Sequence, residues 1–224
     1  LAFWLINLKW LWTVSGLGAG IMAVYLATYF GIWGSIAVSI GNPWRKRIVS
    51  PETQKASSNK IQEKINAKNT SSKKSTLQIS IGESMRSLKF AFINAAAWVG
   101  IEFLRGWVFT GFSWNGLGTA FHNIPVLAQS ADLVGLTGLA FLPVFMSAVL
   151  IQTGRRFINE AKTGTLKPRM DFSVAALCIA IVFAYGVYRI QQVNNWETKR
   201  VKVLLIQENI PQTLKWDPAE TSVI

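Results

Sequence analysis

WLWTVSGLGAGIMAVYLATYFGIWGSIAVSIGNPW, Trp10 to Trp44, contains no Asp, Glu, Lys or Arg. A helix crosses the hydrocarbon of a bilayer with about 20 apolar residues. This stretch therefore holds one span, placed over Leu17–Ile40, with apolar chain to spare before it. Hydrophobic residues make up 50% of the chain and the charges gather in a few segments, which fits a membrane protein better than a soluble domain. The fold class expected is a mainly α-helical, multi-pass membrane domain.

Working outward from that run, Leu133–Gly154 and Phe172–Tyr188 are also free of charge. They place spans at about 133–153 and 171–190. A further span, 88–109, carries Lys89 at its mouth and Glu102 and Arg105 inside it. Residues 1–13 are aromatic and apolar but short, and read as the end of an earlier span in a chain expected to be cut at its front. The membrane domain is placed at 1–191.

Charge orients the spans. Residues 45–87 carry Arg45, Lys46, Arg47, Lys55, Lys60, Lys64, Lys68, Lys73, Lys74 and Arg86 against Glu52, Glu63 and Glu83, which makes the segment cytoplasmic by the positive-inside tendency. Arg155, Arg156, Lys162, Lys167 and Arg169 put the next basic segment on the same side, two spans later. Gly106–Ala131, without Lys or Arg, then lies outside, as does everything after the last span. Lys199, Arg200, Lys202 and Lys215 run against this, although long translocated segments ignore the rule.

The net charge of +12 does not point to nucleic acid, which would need a recognisable basic fold or interleaved aromatics. SPETQKASSNKIQEKINAKNTSSKKSTLQ, Ser50–Gln78, is polar and lacks aromatics, the composition of a cytoplasmic linker unable to bury a core. Attraction to anionic headgroups of membrane lipids follows as a side effect. Cys178 is the only cysteine and sits mid-span, where a thiol behaves as a small hydrophobe rather than a nucleophile. His122 is the only histidine and reads as a polar loop side chain. No metal site and no cofactor is expected.

EFLRGWVFTGFSWNGLG, Glu102–Gly118, has the most chemical content. Glu102 and Arg105 are three apart, which puts them on one helix face within reach. An unpaired charge in hydrocarbon costs at least about 2.5 kcal/mol, so pairing in a functional interior is one reading. The other has Arg105 extending to the outer interface with Glu102 neutralising it. Trp107 and Trp114 suit an aromatic belt at that interface, and Gly106, Gly111, Gly116 and Gly118 let the backbone turn sharply or approach a ligand. Near the end, VKVLLIQENIPQTLKWDPAE, Val201–Glu220, reads as an apolar β-strand feeding a polar loop.

EFLRGWVFTGFSWNGLG, then PVLAQSADLVGLTGLAFL (Pro125–Leu142), then QENIPQTLKWD (Gln207–Asp217) resemble, in that order, bacterial apolipoprotein N-acyltransferases, and YLATYFGIWG (Tyr25–Gly34) is similar to an earlier span of that family. Only the Lys-rich linker stands outside the resemblance. Ser113 replaces a usual Pro and Glu208 a usual Gly.

The resemblance implies an inner-membrane enzyme with a helical base and a nitrilase-like (CN-hydrolase) α/β domain outside the cytoplasm, begun at 192–224. The expected partners are a phospholipid acyl donor and a diacylglyceryl-modified apolipoprotein acceptor. In the family a Cys thiolate attacks the phospholipid ester to form a thioester acyl-enzyme, a Glu acts as general base and a Lys stabilises the oxyanion. Those three follow the LKWD segment, so no catalytic residue is assigned within the 224 residues. Neither Glu220 nor Cys178 takes that role, and the chain alone is expected to be an inactive fragment. Residue by residue, the resemblance assigns substrate-binding roles to Gly111, Trp114 and Trp216, with Glu102 and Arg105 beside them, and loop-fixing roles to Gly106, Gln207 and Asn209. Trp114 and Trp216 are expected to flank the entry for acyl chains. The alternatives are a transporter or channel, in which Glu102 and Arg105 line the path, or a membrane anchor of another nitrilase-like amidase.

Overall fold

The computed structural model describes residues 1–40, 76–164, 169–207 and 209. The chain forms two units, Leu1–Gln191 and Gln192–Ile224. Trp216, Glu208 and residues 45–75 of the expected linker lie outside the described residues.

The first unit is helical. α1 (Ala2–Asn7) and a 3-10 turn (Lys9–Thr13) lead into α2 (Gly16–Ser39). Residues 1–13 thus form a short helix and a turn, not one continuous helical end. Ser15 caps α2, its Oγ accepting the Gly18 N–H at 3.1 Å. Glycine is a poor helix former in water, yet α2 tolerates Gly16, Gly18 and Gly20, because unpaired backbone groups in lipid cost several kcal/mol each and only the helix satisfies them locally. Trp4 and Leu8 bury against Ala23 and Leu26 of α2.

α3 (Thr76–Arg105) runs for 30 residues, about 45 Å. It starts earlier than expected, inside the stretch read as linker, and stops at Arg105 instead of residue 109. The early start has a cause: Ser80, Ser84 and Ser87 are buried and recur at helical spacing. A polar sequence here is the inward face of a helix.

After α3 come 3-10 turns at Val108–Thr110 and Leu117–Asn123, the one-turn α4 (Pro125–Ala128), α5 (Ala131–Leu139), α6 (Phe141–Thr163) and α7 (Met170–Asn194). The span expected at 133–153 is broken: α5 and α6 meet at a bend of 59°, and Gly135 inside α5 has φ +68°. α6 also continues to Thr163, through residues expected to form a basic loop. Among the described residues, three helices are long and apolar enough to cross a membrane, or four if α5 and α6 count as one span.

α3 and α6 pack through Phe90, Ala91, Ala95, Phe145, Ala148 and Val149, with Ala175 of α7. Small residues let helix backbones come close where lipid offers no hydrophobic drive to associate. Gly186 carries the same logic furthest, since a Cβ there would collide with the Val126 carbonyl oxygen. At the other end of the helices, Asp171 is fully buried and pairs with Arg156 at 3.2 Å, while Ser84 donates to the same carboxylate at 3.4 Å. Arg169 pairs with Glu160 at 3.0 Å. Two of the arginines that orient the chain by charge are thus engaged, Arg156 of α6 with α3 and α7 and Arg169 with α6.

In the second unit, described residues 195–207 have no helix or strand, and Val201 and Val203–Ile206 are exposed. The strand expected from Val201 is therefore not formed among the described residues. A strand needs a hydrogen-bonded neighbour, and no other strand is described to supply one.

Candidate functional site

Three helices contribute one stripe each to a common cleft. From α2 come Tyr29, Phe30, Trp33 and Ala37; from α3, Phe90, Asn94, Trp98, Ile101, Glu102 and Arg105; from α6, Pro143, Val144, Ser147, Ala148 and Ile151. These are the spacings of one helical face in each case. The cleft encloses about 1010 Å³, the upper end of the roughly 300–1,000 Å³ of ligand sites. Its lining is almost wholly apolar or aromatic. Phe3, Phe30 and Ile151 line it while remaining exposed, so it opens to the surroundings of the helices.

One end is polar. Glu102 and Arg105 lie 3.5 Å apart with side chains 8% and 6% exposed, so the two are paired and buried, and Arg105 does not extend outward. The guanidinium sits 5.2 Å from the Trp4 ring centroid, a cation–π contact that helps hold a desolvated arginine. Glu102 Oε1 also accepts the Leu117 N–H at 2.7 Å, fixing the returning loop over the end of α3. Asn115, Gly116, Thr119 and His122 complete this head of the cleft. Trp4 Nε1 and Arg105 Nε are buried donors without a hydrogen-bond partner, the kind of unmet group that a bound polar ligand or a water serves. Behind the pair a second pocket of about 210 Å³ shares Glu102, Arg105 and Gly116 and adds Gly106, Trp107 and Ser113. The ion pair is the partition between the two spaces.

The loop that builds this head is strained. Phe109, Thr110 and Gly111 have φ of +50°, +73° and +80°, a region costing ordinary residues about 1–3 kcal/mol each. A Cβ on Gly111 would strike the Gly106 carbonyl oxygen, so glycine is needed here for both conformation and space. The Phe112 N–H donates to Arg105 O at 2.8 Å, and Tyr25 of α2 donates to Val108 O at 3.1 Å. These bonds hold the loop against α2 and α3.

The expected site residues fall into three groups. Glu102 and Arg105 come together and line the cleft. Gly106 closes the last turn of α3, its N–H donating to Phe103 O at 3.0 Å, and lines only the smaller pocket. Gly111 shapes the turn and lines neither space. Trp114 is 63% exposed and stacks on Trp10 at 5.1 Å, outside the cleft, while Asn115 and Gly116 next to it line the cleft. Gln207 and Asn209 are exposed; Trp216 is not described. Sequence reading missed the aromatic wall of Phe30, Trp33 and Trp98, which lies within apolar runs where spacing does not single out one face. It also missed Asp132, which accepts from Tyr185 at 2.8 Å and from Arg189 at 2.7 Å, tying α5 to α7. Cys178 packs at the margin of the α3–α6 core.

Residues 73–149 match the family described as the Apolipoprotein N-acyltransferase N-terminal domain. Curated relatives named apolipoprotein N-acyltransferase include those of Rickettsia bellii, 32% identical over 58% of this chain, Haemophilus influenzae, 38% over 57%, and Geobacter metallireducens, 35% over 54%. The matched part covers 25%, 24% and 23% of those relatives respectively, so the chain spans about a quarter of their length. No solved structure matches.

Proposed function

We propose that this chain, which resembles the apolipoprotein N-acyltransferases over more than half of its residues, is the membrane part of such an enzyme. In this reading an acyl chain passes from a phospholipid to the N-terminal diacylglyceryl-cysteine of a lipoprotein. The observation that carries it is a coincidence of place: the family match over residues 73–149 contains the α3 stripe, the α6 stripe up to Ala148, and Glu102, Arg105 and the loop residues at the polar head of the cleft. An apolar trough with a charged head suits a lipid, whose chain needs a dry wall and whose ester or phosphate region needs donors.

The roles follow from the geometry. The stripes of α2, α3 and α6 receive the acyl chain. Arg105, held by Glu102 and Trp4, offers donors to the acceptor oxygens of the lipid. Gly111 and Gly106 keep the loop in the shape that lets Glu102 hold Leu117. Trp114, with Trp10 stacked on it, lies at the outer membrane surface, beside the mouth of the cleft lined by Asn115 and Gly116. Residues 192–224 begin the nitrilase-like domain outside the cytoplasm, with Gln207 and Asn209 in its first loop, and the basic segment 45–75 faces the cytoplasm of a bacterium whose inner membrane holds the chain. Transport and amidase-anchor readings have no observation in their favour.

Depleting the gene that encodes this sequence in its own host tests the reading. N-terminal peptides of lipoproteins, read by mass spectrometry, should shift from N-acylated to free α-amino diacylglyceryl-cysteine. Unchanged N-acylation would contradict it.

A further inference from the structure

The cleft has a measurable depth. Phe30 of α2 meets Trp98 edge to face at 5.2 Å, and Trp33 donates to Asn94 O at 3.1 Å. Passing along α2 therefore descends α3, away from Glu102. One further turn on each brings Ala37 and Phe90, and Ile151 of α6 is the last lining residue on the third wall. Glu102 and Phe90 are twelve residues apart on one helix, which is about 18 Å. One leaflet, half of a hydrocarbon core of about 30 Å, is about 15 Å. The lining among the described residues therefore matches the length of a single extended acyl chain, and Ala37, Phe90 and Ile151 are its far end.

We propose that Ala37, Phe90 and Ile151 form the floor of a chain-length gauge, which sets the longest acyl chain that fits while its oxygen-bearing end stays at Arg105. This rests on the acyl-transfer reading above. The gauge selects by fit and not by hydrophobicity, because a bilayer is as apolar as the cleft and burial in one or the other is nearly neutral. A chain too long must buckle or lift its head away from Arg105, which is overpacking. A chain too short leaves wall atoms without contacts. A single methylene in a shaped apolar pocket changes selection by about tenfold or more.

The test uses the full-length protein in detergent, offered an equimolar series of phospholipids differing only in chain length, with retained lipid read by native mass spectrometry. The wild type should retain one length best and fall off for longer chains. Ala37→Trp and Ile151→Trp raise the floor from two separate helices. Ala37 is only partly buried and Ile151 is 62% exposed, so neither change disturbs a packed core. Both should move the preference to shorter chains by about tenfold in the ratio of short to long. Val38→Trp, on the same helix at a 63% exposed position outside the lining, should behave as the wild type. A wild type with a length preference that neither floor variant moves would overturn the gauge and leave the acyl-binding cleft standing. A wild type that retains all lengths equally would overturn the gauge alone, and one that retains none would overturn the acyl-binding role of the cleft and the gauge with it.

Discussion

Glu102 Oε1 accepts the backbone N–H of Leu117 at 2.7 Å while the same carboxylate pairs with Arg105 at 3.5 Å. One side chain thus ends α3, fixes the loop that returns from it and balances the charge at the head of the cleft. Removing one partner of a buried ion pair costs about 3–5 kcal/mol, because the other charge is stranded. Glu102→Ala strands both Arg105 and the Leu117 N–H. Glu102→Gln keeps an acceptor for Leu117 and gives up only the charge. In thermal unfolding in detergent, Glu102→Ala should therefore lower Tm more than Glu102→Gln. Equal losses would mean that the Leu117 bond contributes nothing.

Two glycines should respond differently to the same small change. Gly186→Ala places a methyl against the Val126 carbonyl oxygen and should destabilise the packing of α7 on α4. Gly20→Ala meets nothing within 4 Å and should be neutral or gain about 0.5–1 kcal/mol, as expected within a helix. Parallel Tm measurements of the two variants check this.

Gly111→Ala combines a φ of +80° with a collision at Gly106 O. Loss of more than about 1 kcal/mol is expected, together with rearrangement of the loop. The readout is limited proteolysis at 106–116, which should become faster than in the wild type.

At the opposite end, Arg156 and Asp171 should behave as a coupled pair. Asp171→Asn or Arg156→Met alone should cost about 3–5 kcal/mol, whereas an apolar double replacement should cost less than the sum. A double-mutant cycle in Tm measures the difference. Additive effects would show that the pair at 3.2 Å carries no interaction energy.

How legible this was in the sequence depended on where charge falls. Uncharged runs showed α2 and α7, because twenty apolar residues in sequence have few other uses. The Glu102–Arg105 pair followed from i, i+3 spacing. The start of α3 was hidden because Ser80, Ser84 and Ser87 look like linker and are buried against neighbouring helices. The kink inside α5 turns on Gly135 at φ +68°, and the 59° bend between α5 and α6 falls at Ala140; no periodicity reveals either. The cleft itself was the hardest to see. In an apolar helix, Trp33 facing the cleft and Ile32, 51% exposed on another face, are alike in character, and only packing distinguishes them.

The central claim is that an acyl chain occupies the trough between α2, α3 and α6. A phospholipid carrying a photoreactive diazirine at the end of its acyl chain, incubated with the full-length protein in membranes and irradiated, tests it directly by peptide mapping. Adducts should concentrate at Trp33, Ala37, Phe90 and Ile151. Adducts confined to exposed residues off the cleft, such as Ile21 and Val24 of α2 or Leu177 and Phe183 of α7, would show that lipid only surrounds the helices and would contradict the account.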